Sequence, residues 1–211
     1  MQIAIPLFDG LTALDAIGPY EVLSRPPGWE VVFPAAEPGP KRTDRDQLSL
    51  TADRPLSDVQ SPDIVVVPGG PGTRDKPHDE LIGWIRSVHE NTRWTTSVCT
   101  GSLLLGKAGI LQGIRATGHW MWLESLREYG AEPTSERVVE QGKVITAAGV
   151  SSGIDMALRL LQLEAGDELA QAVQLSIEYD PQPPLDAGSP EKAPKAIVDA
   201  VRAASSAAEQ P

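Results

Sequence analysis

Short β-rich runs alternate with helical patterns along most of this chain, and that alternation restricts the fold more than any other feature. Residues 3–8 read as a first strand and residues 14–23 as a helix, with a second strand over residues 29–34. Asp63-Ile64-Val65-Val66-Val67 is the clearest buried strand, closed by Pro68-Gly69-Gly70-Pro71-Gly72. Leu81, Ile82, Ile85 and Val88 then recur at helical spacing. Further on, Ala116 and Thr117 form a short extended piece, and residues 120–129 are amphipathic. Two runs flanking Gln141-Gly142-Lys143 read as a hairpin, and Ile154, Ala157, Leu158 and Leu161 mark a helix opened by Ser151 or Ser152. The order predicts an α/β fold, a mostly parallel sheet sandwiched by helices, with sites beyond the carboxyl ends of the strands.

Composition narrows the partners. At 211 residues the chain suits one domain with a sizeable core. Its 18 basic and 29 acidic residues give a net charge of −11, which argues against nucleic acid. One cysteine rules out an intrachain disulfide. Met1 leads directly into Gln2-Ile3-Ala4 with no signal-peptide pattern, and no apolar run reaches the roughly 18 residues that a membrane span needs. The expected compartment is the cytoplasm.

The single cysteine stands at a corner. Thr95-Thr96-Ser97-Val98-Cys99-Thr100-Gly101-Ser102 runs as a buried strand straight into a helix that continues through Leu103-Leu104-Leu105. A turn of this kind lifts one side chain out of the sheet edge, as at the nucleophile corner of hydrolases, and the helix N-terminus is expected to favour a thiolate. A lone cysteine is often a small buried hydrophobe; the small flanking residues and the strand-to-helix switch favour a nucleophile. Asp15, in Leu14-Asp15-Ala16-Ile17-Gly18-Pro19, is either an N-cap or a functional acid. Gly69 and Gly70 let the backbone approach a ligand, so their N–H groups are candidate oxyanion donors. Thr100 offers a hydroxyl and an N–H beside the cysteine, and Val150 can present its N–H to the sulfur. Among the three histidines, His78 lies in a polar loop and His89 on a helix, while His119 falls at a strand end, as a packing residue or as support for the site. No HxH, HExxH or CxxC spacing occurs, so no metal site is expected.

Assembled, these stretches resemble the ThiJ/PfpI branch of the class I glutamine amidotransferase-like superfamily, and within it the isocyanide (isonitrile) hydratases. The resemblance rests on Leu14-Asp15 with Gly18-Pro19, Val67-Pro68-Gly69-Gly70, residues 96–102, and residues 109–113. It continues through Ala116-Thr117 with His119-Trp120, Gly149-Val150 with Gly153-Ile154-Asp155, and the tail around Glu178-Tyr179-Asp180-Pro181. It implies a flavodoxin-like fold and cofactor-independent hydration of an organic isocyanide to an N-substituted formamide. Cys99 would form a covalent thioimidate, Asp15 would handle protons, and Thr100, Gly70, Gly69 and Val150 would position the intermediate. Thr100 stands where PfpI-type peptidases carry His, and Asp15 where deglycases carry Glu. Ala148 and Ser151 replace the Gly and Thr frequent around the helix opening. Sensory domains of AraC-type regulators share the cysteine corner but continue into a helix-turn-helix region, for which the residues after Pro190 are too few. The rival readings are another cysteine-dependent hydrolase or glyoxalase-like enzyme of the branch, and a redox or ligand sensor.

The resemblance also implies a homodimer acting on a small molecule, with no nucleic acid or membrane partner. Residues 1–190 are expected to form the catalytic domain, and residues 191–211 a helix and frayed end of the same domain. The proline-rich stretch 181–190 is expected to lie extended, at or near the subunit interface.

Overall fold

The computed structural model describes Met1–Ala208. Among the described residues, twelve strands and seven α-helices follow one another. The strands are β1 (Gln2–Ala4), β2 (Glu30–Val32), β3 (Pro34–Ala35), β4 (Gly39–Arg42), β5 (Ser49–Ala52), β6 (Arg54–Pro55), β7 (Ile64–Val67), β8 (Trp94–Val98), β9 (Arg115–Ala116), β10 (Glu132–Pro133), β11 (Val138–Gln141) and β12 (Val144–Ala147). The helices are α1 (Ala13–Leu23), α2 (Gly72–Asp75), α3 (Asp79–His89), α4 (Gly101–Lys107), α5 (Ser152–Ala165), α6 (Asp167–Ser176) and α7 (Lys195–Ala208).

Six strands form the main sheet in the order β11-β12-β8-β7-β1-β2, all parallel except the β11 edge. Among the parallel strands the chain runs from β1 out to β2, then back across β1 to β7, β8 and β12. That is the doubly wound flavodoxin-like order, whose crevice opens where the winding reverses, between β1 and β7. β7 is wholly buried, as its unbroken Ile64-Val65-Val66-Val67 requires of a strand covered on both faces. Helices flank the sheet, α1 packing on α5 and α3 on α4. The core face of α3 is Leu81, Ile85 and Val88, and that of α5 is Met156, Ala157, Leu160 and Leu161. Both sets follow the helical repeat.

Several elements depart from the sequence reading. Residues 120–129 form no α-helix: a turn closes from Trp122 N–H to His119 O, and 3-10 turns follow over Leu123–Tyr129, ending at left-handed Gly130. The β4–β5 hairpin was not anticipated, because Gly39-Pro40-Lys41-Arg42 has no apolar alternation to betray a strand. Helix α6 was missed because only Val173 is buried along it.

The chain divides into two compact units, Met1–Glu178 and Tyr179–Pro211. Within the second unit, residues 179–190 adopt neither helix nor strand. Helix α7 there leaves Ile197 and Val201 exposed. The frayed end expected beyond this helix lies outside the described residues.

Candidate active site

Four adjacent parallel strands deliver the site from their carboxyl ends. Asp15 follows β1, the Pro68-Gly69-Gly70 turn follows β7, Cys99 follows β8 and Val150 follows β12. Cys99 has φ +60° and Val150 has φ +25°, both in the left-handed region that non-glycine residues avoid. Such strained residues each cost about 1–3 kcal/mol and persist only where the surrounding structure fixes them. Here Cys99 N–H donates to Ala147 O (3.1 Å) and Ala148 O (2.8 Å), and Ser102 Oγ donates to Cys99 O (3.0 Å). The strand-to-helix corner read from the sequence is present, with α4 beginning at Gly101.

Asp15 is not an N-cap. It sits within the first turn of α1, behind Thr12, and is completely buried. Gly69 N–H donates to its Oδ2 (2.8 Å), while Oδ1 has no partner of ordinary hydrogen-bond geometry. The sulfur of Cys99 lies beside this carboxyl group. Burial raises the Asp15 pKa from 3.8 to about 7, against the opposing pull of the Gly69 N–H and the thiol; the charge of Asp44 adds to the rise.

The thiol moves the other way from the sequence expectation. Burial first, and the Asp15 charge second, push the Cys99 pKa up to about 12. The N–H groups of Val150 and Thr100 and the Thr100 hydroxyl act in the opposite direction but are outweighed. A seven-residue helix and a few donors do not offset removal from water. At neutral pH the resting pair is therefore a protonated thiol beside a carboxyl group near its midpoint.

The glycine turn also has a different task from the expected one. Gly69 N–H is spent on Asp15, and Gly70 N–H donates to Thr100 Oγ1 (2.8 Å), so neither is left for an oxyanion. Thr100 Oγ1 in turn reaches Gly70 O (3.1 Å) and the Cys99 sulfur. Its single proton serves one acceptor at a time. A Cβ at Gly69 would lie 2.5 Å from Thr100 N, 2.8 Å from Thr100 Oγ1 and 2.9 Å from Asp15 Oδ2. Only glycine allows the turn to come this close. The N–H donors that face sulfur are those of Thr100 and Val150.

The histidines separate clearly. His78 bonds Gly72 O through Nε2 (2.7 Å), and His89 bonds Thr95 Oγ1 through Nδ1 (2.8 Å). His119 packs against Gly149, next to Val150, and its Nδ1 accepts from Met121 N–H (3.4 Å). Burial and the nearby Arg74 lower its pKa, so it is neutral at pH 7. Sequence reasoning missed Arg74, whose guanidinium lies 3.8 Å from the centre of the Trp122 ring. Nothing local in Gly72-Thr73-Arg74 signals that stack. Among the described residues no cluster of His, Cys, Asp and Glu could hold a metal ion, and no helix is long and apolar enough to cross a membrane.

Residues 1–163 match the DJ-1/PfpI family. The chain belongs to the DJ-1/PfpI family. It is 43% identical over 203 residues to the isonitrile hydratase of Pseudomonas putida, covering 96% of this chain and 89% of that enzyme. It is 29% identical to the HTH-type transcriptional regulator CdhR of Pseudomonas aeruginosa, over 83% of this chain and 52% of the regulator. The chain thus spans about half of that relative. A ThiJ/PfpI family protein from Pseudomonas syringae superposes with a TM-score of 0.91 at 33% identity, covering 95% of this chain and 84% of the other. The likeness to that enzyme supports a cysteine-bearing enzyme of this family.

Proposed function

We propose that the protein hydrates organic isocyanides, R–N≡C, to N-substituted formamides, with Cys99 as nucleophile and Asp15 as the proton-transfer residue. The buried Asp15–Cys99 pair carries this reading. A carboxyl group with a pKa of about 7 beside a thiol near 12 can take or return a proton at neutral pH, while the sulfur stays protonated until substrate arrives.

In the first step the thiol proton passes through Asp15 to the lone pair on the isocyanide carbon. The sulfur electron pair forms the S–C bond, one C–N π pair moves to nitrogen, and the product is the thioimidate R–N=CH–S–Cys99. Asp15 carboxylate then accepts a proton from water as its oxygen adds to that carbon, and nitrogen receives the proton. Collapse of R–NH–CH(OH)–S–Cys99 forms the carbonyl, breaks the C–S bond and returns the hydroxyl proton to sulfur. The net reaction is R–NC + H2O → R–NH–CHO. Negative charge on sulfur is transient, and the Thr100 and Val150 N–H groups are placed to stabilise it.

The sensor reading fits less well, because redox-sensing cysteines combine exposure with a depressed pKa, and Cys99 has neither. Formamide release from phenyl and cyclohexyl isocyanide, followed by chromatography beside glyoxal consumption, tests the assignment. Formamide with no loss of glyoxal is expected; glyoxal consumption without formamide would overturn it. The protein is also proposed to act as a homodimer. Leu185, Ile197 and Val201 are exposed apolar side chains in the second unit, surface that a second copy could cover. Light scattering should give twice the chain mass; a monomer would refute this.

A further inference from the structure

We propose that Trp120-Met121-Trp122, braced by Arg74, forms the wall that receives the substrate's N-substituent and selects flat, uncharged aryl groups; this rests on the isocyanide reading above. The segment leading into these residues is locked onto the nucleophile corner. Thr117 N–H donates to Thr146 Oγ1 (2.8 Å), tying the segment to β12. A Cβ at Gly118 would stand 2.4 Å from Ser102 Oγ and 3.1 Å from Cys99 O, so this backbone runs directly against the cysteine. His119 then packs on Gly149, beside the Val150 N–H that faces sulfur. The Trp122 N–H to His119 O bond (2.9 Å) turns the chain back at this point.

Asp15, Thr100 and Val150 occupy the polar surroundings of the sulfur, whereas residues 120–122, which follow the segment held at the corner, are apolar. Trp120, Met121 and Trp122 are each only partly buried. The whole stretch Thr117-Gly118-His119-Trp120-Met121-Trp122-Leu123 carries no carboxylate, and its one titratable ring is held neutral. The cation beside it, Arg74, stacks on the Trp122 face and fixes that ring. Indole faces favour flat aromatic ligands by offset stacking, and a thioether adapts to their edges. An aryl isocyanide offers such a face, whereas a cationic substituent would lose water beside the like-charged Arg74 guanidinium.

The test compares kcat/KM for phenyl and methyl isocyanide in the wild type, Trp122→Leu and Trp122→Phe. The phenyl-to-methyl ratio should fall about tenfold in Trp122→Leu, mainly through KM, and be largely restored in Trp122→Phe. An unchanged ratio, or an equal loss for both substrates, would overturn the proposal. If Trp122→Leu fails to fold by circular dichroism, Trp120→Leu carries the same comparison. A wild type that hydrates no isocyanide would sink the hydratase reading. The wall would then be judged by equilibrium binding of formanilide and N-methylformamide to Cys99→Ala, read by tryptophan fluorescence. Tighter binding of formanilide, weakened about tenfold by adding Trp122→Leu, supports an aryl-selective wall. Equal binding of both formamides refutes it.

Discussion

The carboxyl edge around Cys99 and the groove between α5 and α6 are both polar, yet they differ in what their polar groups are free to do. The groove has a volume of about 310 Å³ and is lined by Asp155, Arg159, Gln162 and Asp167 among others. Its polar groups are already paired: Arg159 with Glu140 (3.0 Å), Asp155 with Arg137, and Gln162 with Asp167 (2.9 Å), all partly exposed to water. At the carboxyl edge a carboxyl group and a thiol are buried together, each forced away from its ordinary pKa. Reactivity follows from groups that share protons out of water.

Replacing Cys99 by Ala gives the sharpest contrast. Formamide production should fall to background with the fold intact, and intact-mass spectrometry should show a substrate adduct on the wild type only. Retained turnover would erase the distinction between edge and groove.

Asp15→Asn comes next, with turnover reduced about 10²–10⁴-fold. The substitution also has a thermodynamic signature. The folded-state pKa of about 7 lies above the ordinary 3.8, so between these values the folded chain holds a proton that the unfolded chain has released. Stability contributed by this group is therefore lost as pH rises from about 4 to about 7 and stays lost above it. The Asn variant should remove that slope, so its melting temperature relative to wild type should rise between pH 4 and pH 7. Parallel melting curves across that range would mean that Asp15 is not held protonated.

A smaller effect is expected from Gly69→Ala. The new methyl would meet Thr100 N at 2.5 Å and Asp15 Oδ2 at 2.9 Å, costing about 1–3 kcal/mol by chemical denaturation and lowering turnover by displacing the acid. Wild-type stability would show that the turn can yield. Arg159→Ala should do least. Its ion pair with Glu140 is exposed, so about 0.2–1 kcal/mol is expected, with turnover unchanged. A large loss of activity would make the groove part of the site.

Local pattern revealed much of this molecule. The unbroken apolar run of β7, the helical spacing in α3 and α5, and the small residues around Cys99 each follow from one element's own periodicity. The β4–β5 hairpin left no comparable trace, since its pairing is carried by backbone groups that every residue has. His119 was recognisable as a strand-end residue, but its contact with Gly149 joins segments thirty residues apart.

The sequence by itself determined that the chain alternates strands and helices, that its only cysteine stands at a strand-to-helix corner, and that an acid follows the first strand. Only the tertiary structure decided that Asp15 is buried beside that cysteine and not capping its own helix. It also decided that Gly69 and Gly70 spend their N–H groups on Asp15 and Thr100, and that the thiol rests protonated. The physical reason is that corners and periodicities are encoded by neighbouring residues. Desolvation is imposed by every element packed around a group, and here it outweighs the local donors that favour a thiolate.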